Sequence, residues 1–284
     1  VRTEGSQWTS HPGGAGWNVA RSLARLGVPS AFAGALGHDC FSDELWNASA
    51  RAGLDMRFIQ RVERTPLLAI VHETRPPAYF FVGDASADLA FDPTRLPESW
   101  MAKVQWAHFG GISLARPPLA TTLAALAAQL RAHGVKISFD PNYRTLMDQG
   151  YRPMLETMAS LADIIKVSDE DLRGLFRTDE QSAIETLHAM NREATILVTR
   201  GAEAATLIAR GRTIEAVPPR VEVVDTVGAG DASVAGLLFS LMRRPQYGWF
   251  EHVSFALAAG AAACRYPGAH SPSVEEVTAL LRVT

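Results

Sequence analysis

Residues 225–231 read Asp-Thr-Val-Gly-Ala-Gly-Asp, and the apolar stretch Ala-Ser-Val-Ala-Gly-Leu-Leu-Phe follows at residues 232–239. A Gly-Ala-Gly turn lets successive backbone N–H groups point at one spot, because glycine adopts dihedral angles that other residues avoid. The helix predicted after the turn adds the N–H groups of its first turn and the positive end of its dipole. Residues 221–224, Val-Glu-Val-Val, are typical of a short strand leading into the turn. This order of strand, turn and helix predicts an anion-binding site, most typically for phosphate.

Asp231, the last residue of this stretch, has two interpretations. An aspartate at the start of a helix often caps it by accepting backbone hydrogen bonds, with no further role. A carboxylate held beside a phosphate site is also well placed to accept a proton from a hydroxyl group. The stretch is compatible with a helix cap and with a general base.

A second glycine-rich stretch lies near the N-terminus. Residues 12–20 read Pro-Gly-Gly-Ala-Gly-Trp-Asn-Val-Ala, and a helix is predicted over residues 18–26 with Gly27 as its stop signal. The G-G-x-x-x-N pattern at residues 13–18 and the D-T-x-G-A-G-D pattern at residues 225–231 resemble the two signatures of the PfkB family of ribokinase-like carbohydrate kinases. Residues 34–39 resemble the G-x-x-G-x-D strand end of that family, and the resemblance extends over nearly the whole chain.

Helix-like and strand-like segments alternate along most of the chain, which predicts a parallel sheet covered by helices on both faces. Helices are predicted at residues 18–26, 41–52, 118–133 and 180–190, and strands at residues 30–36, 104–109, 136–139, 164–167 and 194–199. The resemblance implies the same fold class: α/β, a ribokinase-like three-layer α/β/α domain with a mainly parallel central sheet and a small β lid.

One region interrupts the alternation. Residues 67–72 and 78–82 are β-rich runs joined by Glu-Thr-Arg-Pro-Pro, which predicts a hairpin. The resemblance implies that this hairpin belongs to the lid over the sugar site. We therefore expect a kinase domain at residues 13–57 and 92–284 and lid segments at residues 1–12 and 58–91. Because the chain begins with Val1, we expect the natural first strand, with its acidic substrate contact, to be missing.

The resemblance also implies which residues form the site. The catalytic set is Asp231 as base with the anion-binding turn of Gly228, Ala229 and Gly230. The implied substrate-binding residues are Gly13, Gly14, Asn18, Gly111, Arg144 and Asp225. The implied nucleotide-binding residues are Ser168, Thr199, Gly201, Thr226, Gly228, Gly230 and Gly268.

Residues 140–144, Asp-Pro-Asn-Tyr-Arg, follow a predicted strand. Ligands bind at the carboxyl ends of strands in such sheets, and a carboxylate, an amide and a guanidinium are offered together here. The same residues are also good turn formers. The D-P-N-x-R form resembles the fructokinase and 2-keto-3-deoxygluconate kinase branches, which implies that Arg144 lies near the transferred phosphate or the substrate.

Two further positions have alternative interpretations. Residues 168–171 read Ser-Asp-Glu-Asp, which is typical of a Ser N-cap with an acidic first turn. The family has N-x-x-E here, which implies an indirect Mg²⁺ role for Asp171. Trp17 stands where the family usually has a small residue, and it either narrows the sugar pocket or packs outward against the lid.

The loop around Gly268 is implied to lie beside the adenine, and in many family members its carbonyls hold a monovalent cation. Its sequence here, Tyr-Pro-Gly-Ala-His-Ser at residues 266–271, is altered, so K⁺ is a candidate cofactor beside ATP and Mg²⁺.

Composition excludes several classes of protein. Hydrophobic residues make up 47% of the 284, so a full core is expected. The net charge of −3 has no block of like charges, which argues against a nucleic-acid partner, and no run of apolar residues is long enough for a membrane span. The two cysteines form no disulfide or metal pattern, so we expect a cytoplasmic protein. The eight histidines show no metal-ligand spacing and are expected to be ordinary surface or core residues. The P-loop pattern is absent from the sequence.

The sequence therefore predicts an ATP-dependent sugar kinase that phosphorylates a primary hydroxyl, with fructose as the expected sugar. The alternatives are a 2-keto-3-deoxygluconate kinase or a nucleoside kinase of the same family. In a different class, a non-catalytic regulator that binds sugar or nucleotide would use the same scaffold. The expected partners are small molecules and, through the lid, a second copy of the chain in a homodimer.

Overall fold

The computed structural model describes residues 2–4, 7–74 and 77–282. The strands in chain order are β1 (Arg2–Glu4), β2 (Gln7–Thr9), β3 (Gly34–Leu36), β4 (Ile59–Arg61), β5 (Leu68–Thr74), β6 (Pro77–Val82), β7 (Trp106–Gly110), β8 (Lys136–Asp140), β9 (Ile164–Ser168), β10 (Thr195–Arg200), β11 (Glu203–Ala209) and β12 (Arg212–Ala216). The α-helices are α1 (Ala15–Arg25), α2 (Cys40–Arg51), α3 (Leu119–Ala132), α4 (Arg152–Leu161), α5 (Asp169–Phe176), α6 (Glu180–Met190), α7 (Ala229–Arg243), α8 (Trp249–Ala263) and α9 (Val274–Leu281).

The central sheet has six strands in the order β12-β11-β10-β9-β8-β7. The pairs β7–β8, β8–β9 and β9–β10 are parallel, so these four strands end at the same edge. The pairs β10–β11 and β11–β12 are antiparallel. The predicted mainly parallel sheet is confirmed, whereas the antiparallel strands β11 and β12 were not predicted.

Helices cover both faces of this sheet because its strands are apolar on both sides. Successive residues of a strand point to opposite faces. In β10, Ile196 and Val198 pack into one core with α3, α4 and α6, and Leu197 between them packs into a second core with α7 and α8. All three side chains are fully buried. The predicted three-layer α/β/α fold is confirmed.

Helices α7 and α8 pack closely, and this packing positions the start of α7. A Cβ atom on Gly236 of α7 would lie 2.7 Å from the Cβ atom of Ala259 on α8. Real Cβ atoms do not approach this closely, so glycine is needed for the observed separation of the two helices. The N-terminus of α7 is thereby fixed against the core, and it carries the turn at residues 228–230.

A separate four-stranded sheet has the order β2-β1-β5-β6. The hairpin predicted over residues 67–82 is confirmed as the antiparallel pair β5–β6, and residues 75–76 of its turn lie outside the described part of the chain. Strand β1 joins this sheet beside β5. Strands β3 and β4 form a third, two-stranded parallel sheet.

Two sequence predictions about strands need correction. Residues 221–224 are not a strand: the backbone N–H groups of Val224 and Asp225 instead donate to the Cys264 carbonyl at the end of α8. In the part of the chain that the structure describes, no strand pairs with this alternating valine stretch, and Val223 and Val224 are exposed. The strand predicted over residues 30–36 is restricted to β3. Among the residues that the structure describes, none of the helices has the length and apolar character of a membrane span.

Candidate active site

The candidate site lies at the edge where the parallel strands end. Ligands bind at this edge of α/β sheets because the loops that follow the strands converge there. A cleft of about 2220 Å³ includes this edge and continues to residues such as Trp106 at the start of β7 and Arg243 at the end of α7, so its volume is larger than one small ligand requires. Every residue implied by the family resemblance lines it: Gly13, Gly14, Asn18, Gly111, Arg144, Ser168, Asp171, Thr199, Gly201, Asp225, Thr226, Gly228, Ala229, Gly230, Asp231 and Gly268.

The anion-binding turn depends on Gly228, which is the N-cap of α7. Its φ angle of 78° lies in the left-handed region that favours glycine. A Cβ atom at this position would lie 2.7 Å from the Cβ atom of Ala269. Both constraints exclude a side chain at residue 228. The tight turn that this glycine allows places the first N–H groups of α7 at the cleft, where an anion would be bound.

Asp231 is the third residue of α7, so it is not the N-cap of this helix. Its Oδ2 accepts a hydrogen bond of 2.8 Å from Nδ2 of Asn18 on α1. Both side chains are buried, with 7% of each residue exposed. The two glycine-rich stretches of the sequence thus meet through this contact, and the carboxylate is held in the cleft by a side chain.

Burial raises the pKa of the Asp231 carboxyl from 3.8 to about 6. Burial disfavours the charged form, and the hydrogen bond from Asn18 offsets part of this effect. The neighbouring Asp140 raises the pKa further, while the cations of Lys166 and Arg144 lower it. A carboxylate with this pKa is ionised at neutral pH and is a stronger base than an exposed aspartate.

Sequence reasoning missed the ion pair between Lys166 and Asp140. Lys166 Nζ lies 3.0 Å from Asp140 Oδ2, and both side chains are buried. Lys166 also lies directly beneath the turn, because a Cβ atom on Gly230 would be 3.0 Å from Nζ. A lysine inside the apolar strand Ile164–Ser168 was the available signal, since a buried ammonium requires a partner.

Asp225 connects the turn to the loop that follows α8. Its Oδ1 accepts a hydrogen bond of 3.1 Å from the N–H of Val227, and its Oδ2 accepts one of 2.9 Å from the N–H of Gly268. Arg21 of α1 holds the same loop, since it donates to the Ala269 carbonyl and, at 2.9 Å, to Ser271 Oγ.

The structure gives Asp171 a capping role. Its Oδ2 accepts a hydrogen bond from the N–H of Ser168 and its Oδ1 from the N–H of Tyr143, each of 2.7 Å. Ser168 Oγ in turn accepts from the N–H of Asp171, which completes a capping box at the start of α5. Asp171 therefore fastens the loop of residues 140–144 to α5. Among residues 2–4, 7–74 and 77–282, no group of three His, Cys, Asp or Glu side chains forms a metal site.

Arg144 lies in that fastened loop, after Asn142, which has a φ angle of 46°. The guanidinium donates to the carbonyls of Asn142 and Tyr143, at 3.2 and 2.6 Å. Its charge acts on Asp231, whose pKa it lowers. The residues from Asp140 to Arg144 thus form a turn and also bring a cation to the cleft.

Trp17 does not pack outward against the lid. Only 1% of the residue is exposed, and its Nε1 donates a hydrogen bond of 2.8 Å to Ser49 Oγ on α2. It packs in a small core with Ala20 and Leu54, and the guanidinium of Arg21 lies 4.5 Å from its ring centroid. Trp17 therefore connects α1 to α2 through its hydrogen bond to Ser49, and its ring packs against the Arg21 guanidinium.

Other glycines also line the cleft. Gly14 is the N-cap of α1, with a φ angle of 130°, and a Cβ atom there would meet nothing within 4 Å. Gly111 follows β7 with a φ angle of 68°, and its Cβ position lies 3.4 Å from the Cβ atom of Ala15. Beyond the turn, Thr199 at the end of β10 and the following Gly201, with a φ angle of 57°, extend the cleft.

Comparison with known proteins identifies the family. The family model described as pfkB family carbohydrate kinase matches residues 1–276. A fructokinase of Klebsiella pneumoniae is 38% identical over 238 residues, which cover 81% of this chain and 76% of the relative. An aminoimidazole riboside kinase of Salmonella typhimurium is 33% identical over 268 residues, which cover 91% of this chain and 83% of the relative.

Two solved structures have the same fold. The fructokinase of Xylella fastidiosa with bound ATP has a TM-score of 0.87 and 29% identity, and the match covers 95% of this chain and 90% of that one. The fructokinase of Vibrio cholerae O395 bound to fructose, ADP and calcium ion has a TM-score of 0.87 and 27% identity, with 99% and 95% covered. The chain described here belongs to the pfkB family of carbohydrate kinases.

Proposed function

We propose that this protein is a fructokinase, which transfers the γ-phosphoryl group of ATP to a primary hydroxyl of fructose. The observation that carries the proposal is the buried Asp231 carboxylate, held by Asn18 beside the anion-binding turn. The likeness to the Klebsiella fructokinase and to the Vibrio fructokinase that binds fructose and ADP supports fructose as the sugar. The presence of the carboxylate argues against a non-catalytic regulator.

Asp231 would accept the proton of the attacking hydroxyl as the hydroxyl oxygen bonds to the γ-phosphorus. The backbone N–H groups of residues 227–230 would stabilise the negative charge on the transferring group, because phosphoryl transfer depends mainly on positioning and charge stabilisation. The nucleotide would lie over this turn and over residues 199–201. Its adenine would lie near Gly268, in the loop that Asp225 and Arg21 hold.

The sugar would lie against Gly14, Asn18 and Asp225. The Oδ1 atom of Asn18 is buried and has no hydrogen-bond partner in the described part of the chain. A buried acceptor without a partner is unfavourable, so a donor from the substrate would satisfy it. A sugar hydroxyl bound there would lie beside the Asp231 carboxylate, as the proposed reaction requires.

The residues present fit a Mg²⁺ ion that is bound mainly by nucleotide phosphates and water, the usual arrangement for this ion. Asp171 fits only an indirect role through water, because both of its oxygens accept backbone hydrogen bonds. When bound, the ion would neutralise phosphate charge. The loop of residues 266–271 fits K⁺ less well, because the Arg21 guanidinium already occupies the Ala269 carbonyl and Ser271 Oγ.

We also propose that the segments 1–12 and 58–91 act as a lid on a kinase domain of residues 13–57 and 92–284, and that two copies pair through the lid. Strand β6 is at the edge of its sheet, and Phe80 and Val82 on it are 49% and 48% exposed. Apolar edge strands favour pairing with another chain. Sedimentation at micromolar concentrations should give a dimer, and a monomer at all concentrations would contradict the pairing.

The proposed activity is tested by measuring ADP release from Mg-ATP with a panel of acceptors. Fructose should give the highest kcat/KM, and NMR of the product should show a phosphate ester on a primary carbon. The panel includes aminoimidazole riboside, because a kinase of that name is 33% identical to this chain, and 2-keto-3-deoxygluconate. Turnover of either compound without turnover of fructose would overturn the proposal.

A further inference from the structure

The ion pair of Lys166 and Asp140 lies behind the phosphate-binding turn, and the reaction described above does not use it. Only 5% of Lys166 and 2% of Asp140 are exposed. The Nζ atom of Lys166 is beneath Gly230 of the turn, and it lies 3.0 Å from Asp140 Oδ2. A buried ion pair adds little stability, because removing two charges from water offsets much of their attraction. Its location suggests a role other than stabilising the fold.

We propose that Lys166 is a positioning residue for phosphoryl transfer: its ammonium group neutralises Asp140 and keeps the Asp231 carboxylate ionised beside the anion-binding turn. The inference rests on the proposed role of Asp231 as the base. Lys166 lowers the pKa of the Asp231 carboxyl and Asp140 raises it, because a nearby cation favours the ionised carboxylate and a nearby anion disfavours it.

The charge balance around Lys166 favours the ammonium form. Burial alone would lower its pKa, but the carboxylates of Asp140, Asp171 and Asp231 raise the pKa above its usual value. His108 of β7 adds no charge to this balance above pH 5, since burial and the Lys166 ammonium lower its pKa to about 4. Lys166 is thus a fixed positive charge throughout the range in which Asp231 titrates.

Among the described residues, other charged groups also act on Asp231. From α1, Arg21 interacts with its carboxylate. Arg144, in the loop after β8, lowers its pKa, and Asp140, the last residue of β8, raises it. Without Lys166, the buried carboxylate of Asp140 would lack its ion-pair partner, and wherever it stayed ionised it would oppose the ionisation of Asp231; burial already raises the pKa of Asp140.

The test compares Lys166→Met with Asp140→Asn in the pH dependence of kcat/KM. The wild-type rate should fall below about pH 6, where Asp231 takes up a proton. Lys166→Met should move this acid limb up by about one pH unit, and the isosteric Asp140→Asn should move it down by about one unit, as expected for single charges near a carboxyl group. A double variant should return the limb close to its wild-type position.

A merely structural ion pair would lower activity in both single variants with no movement of the limb, and that result would overturn the proposal. Shifts of both variants in the same direction would overturn it too. The matched control is Lys136→Met, which removes an exposed lysine that pairs at 2.9 Å with Asp163, the residue just before the neighbouring strand β9. This control should keep the wild-type profile.

A second measurement separates this inference from the proposed function, because it requires no turnover. The difference in unfolding free energy between the wild type and Asp231→Asn depends on pH through the ionisation of Asp231. In a Lys166→Met background the upper end of this dependence, which is set by the pKa of Asp231 in the folded state, should move up by about one pH unit. An unmoved upper end would overturn the role of Lys166 even if fructose is phosphorylated, whereas a shifted upper end would support it even if fructose is not the substrate.

Discussion

Replacing Asp231 with asparagine is expected to stabilise the folded protein, although the replaced residue is the proposed base. Burial raises the pKa of Asp231 from 3.8 to about 6, so the ionised carboxylate is less favourable in the folded chain than in the unfolded chain. A rise of two units corresponds to about 3 kcal/mol of unfolding free energy. Asparagine has nearly the same shape, and its Oδ1 retains an acceptor for the hydrogen bond from Asn18.

The size of this stabilisation depends on pH. Above pH 6 the carboxyl group is ionised in both states, so the full penalty is present in the wild type. Between pH 6 and pH 4 the folded state binds the proton first, and the penalty disappears. Asp231→Asn should therefore be more stable than the wild type by about 3 kcal/mol at pH 8 and by much less at pH 4.

The assay is unfolding by urea at both pH values, with the slope of the denaturant dependence compared between variants. The control is Asp43→Asn, which removes an exposed carboxylate paired with Arg61 on the surface. Surface ion pairs contribute about 0–1 kcal/mol, so this variant should differ little from the wild type at pH 8. Equal or lower stability of Asp231→Asn at pH 8 would refute the argument that burial of an ionised carboxylate is unfavourable here.

The remaining predictions concern the turn and the cations near it. Arg144→Lys should lower kcat about tenfold, because lysine lacks the planar fork of donors, and unchanged kcat would leave residues 140–144 as a turn alone. Gly228→Ala should raise the KM for ATP and lower the melting temperature by several degrees, because the φ angle of 78° disfavours alanine and the new Cβ atom would clash with Ala269. An unchanged KM and an unchanged melting temperature would contradict this prediction. The wild type should be equally active in K⁺ and Na⁺ buffers, because Arg21 already binds the loop of residues 266–271. The activity of Arg21→Ala should depend on K⁺, and a wild-type rate that requires K⁺ would contradict this reasoning.

The sequence was sufficient to predict the parts of the fold that depend on local patterns. The alternating apolar segments predicted the parallel strands β7–β10, and the proline-bearing hairpin predicted β5 and β6. The glycine-rich stretches predicted helices α1 and α7, although α1 begins at Ala15 and not at the predicted residue 18. The antiparallel strands β11 and β12 were missed, although alternate residues of β11 are buried.

The site was predicted less completely, because its electrostatics depend on contacts between distant residues. The turn at residues 228–230 and Asp231 stand out in the sequence, but their contact with Asn18 joins residues 213 positions apart. The pairing of Lys166 with Asp140 likewise depends on the order of the strands. The Val-Glu-Val-Val stretch at residues 221–224 was wrongly predicted as a strand, since its partner is the end of a helix.

Asp231 is the proposed acceptor of the proton from the hydroxyl that attacks the γ-phosphorus. A single-turnover measurement at pH 8 tests this role by following transfer of labelled γ-phosphate from Mg-ATP to fructose by the wild type and by Asp231→Asn, with ATP affinity measured separately. The transfer rate should be lower by about two to four orders of magnitude in the variant, with ATP affinity little changed, because the backbone N–H groups of the turn remain. A near-normal transfer rate in Asp231→Asn at saturating ATP and fructose would contradict it.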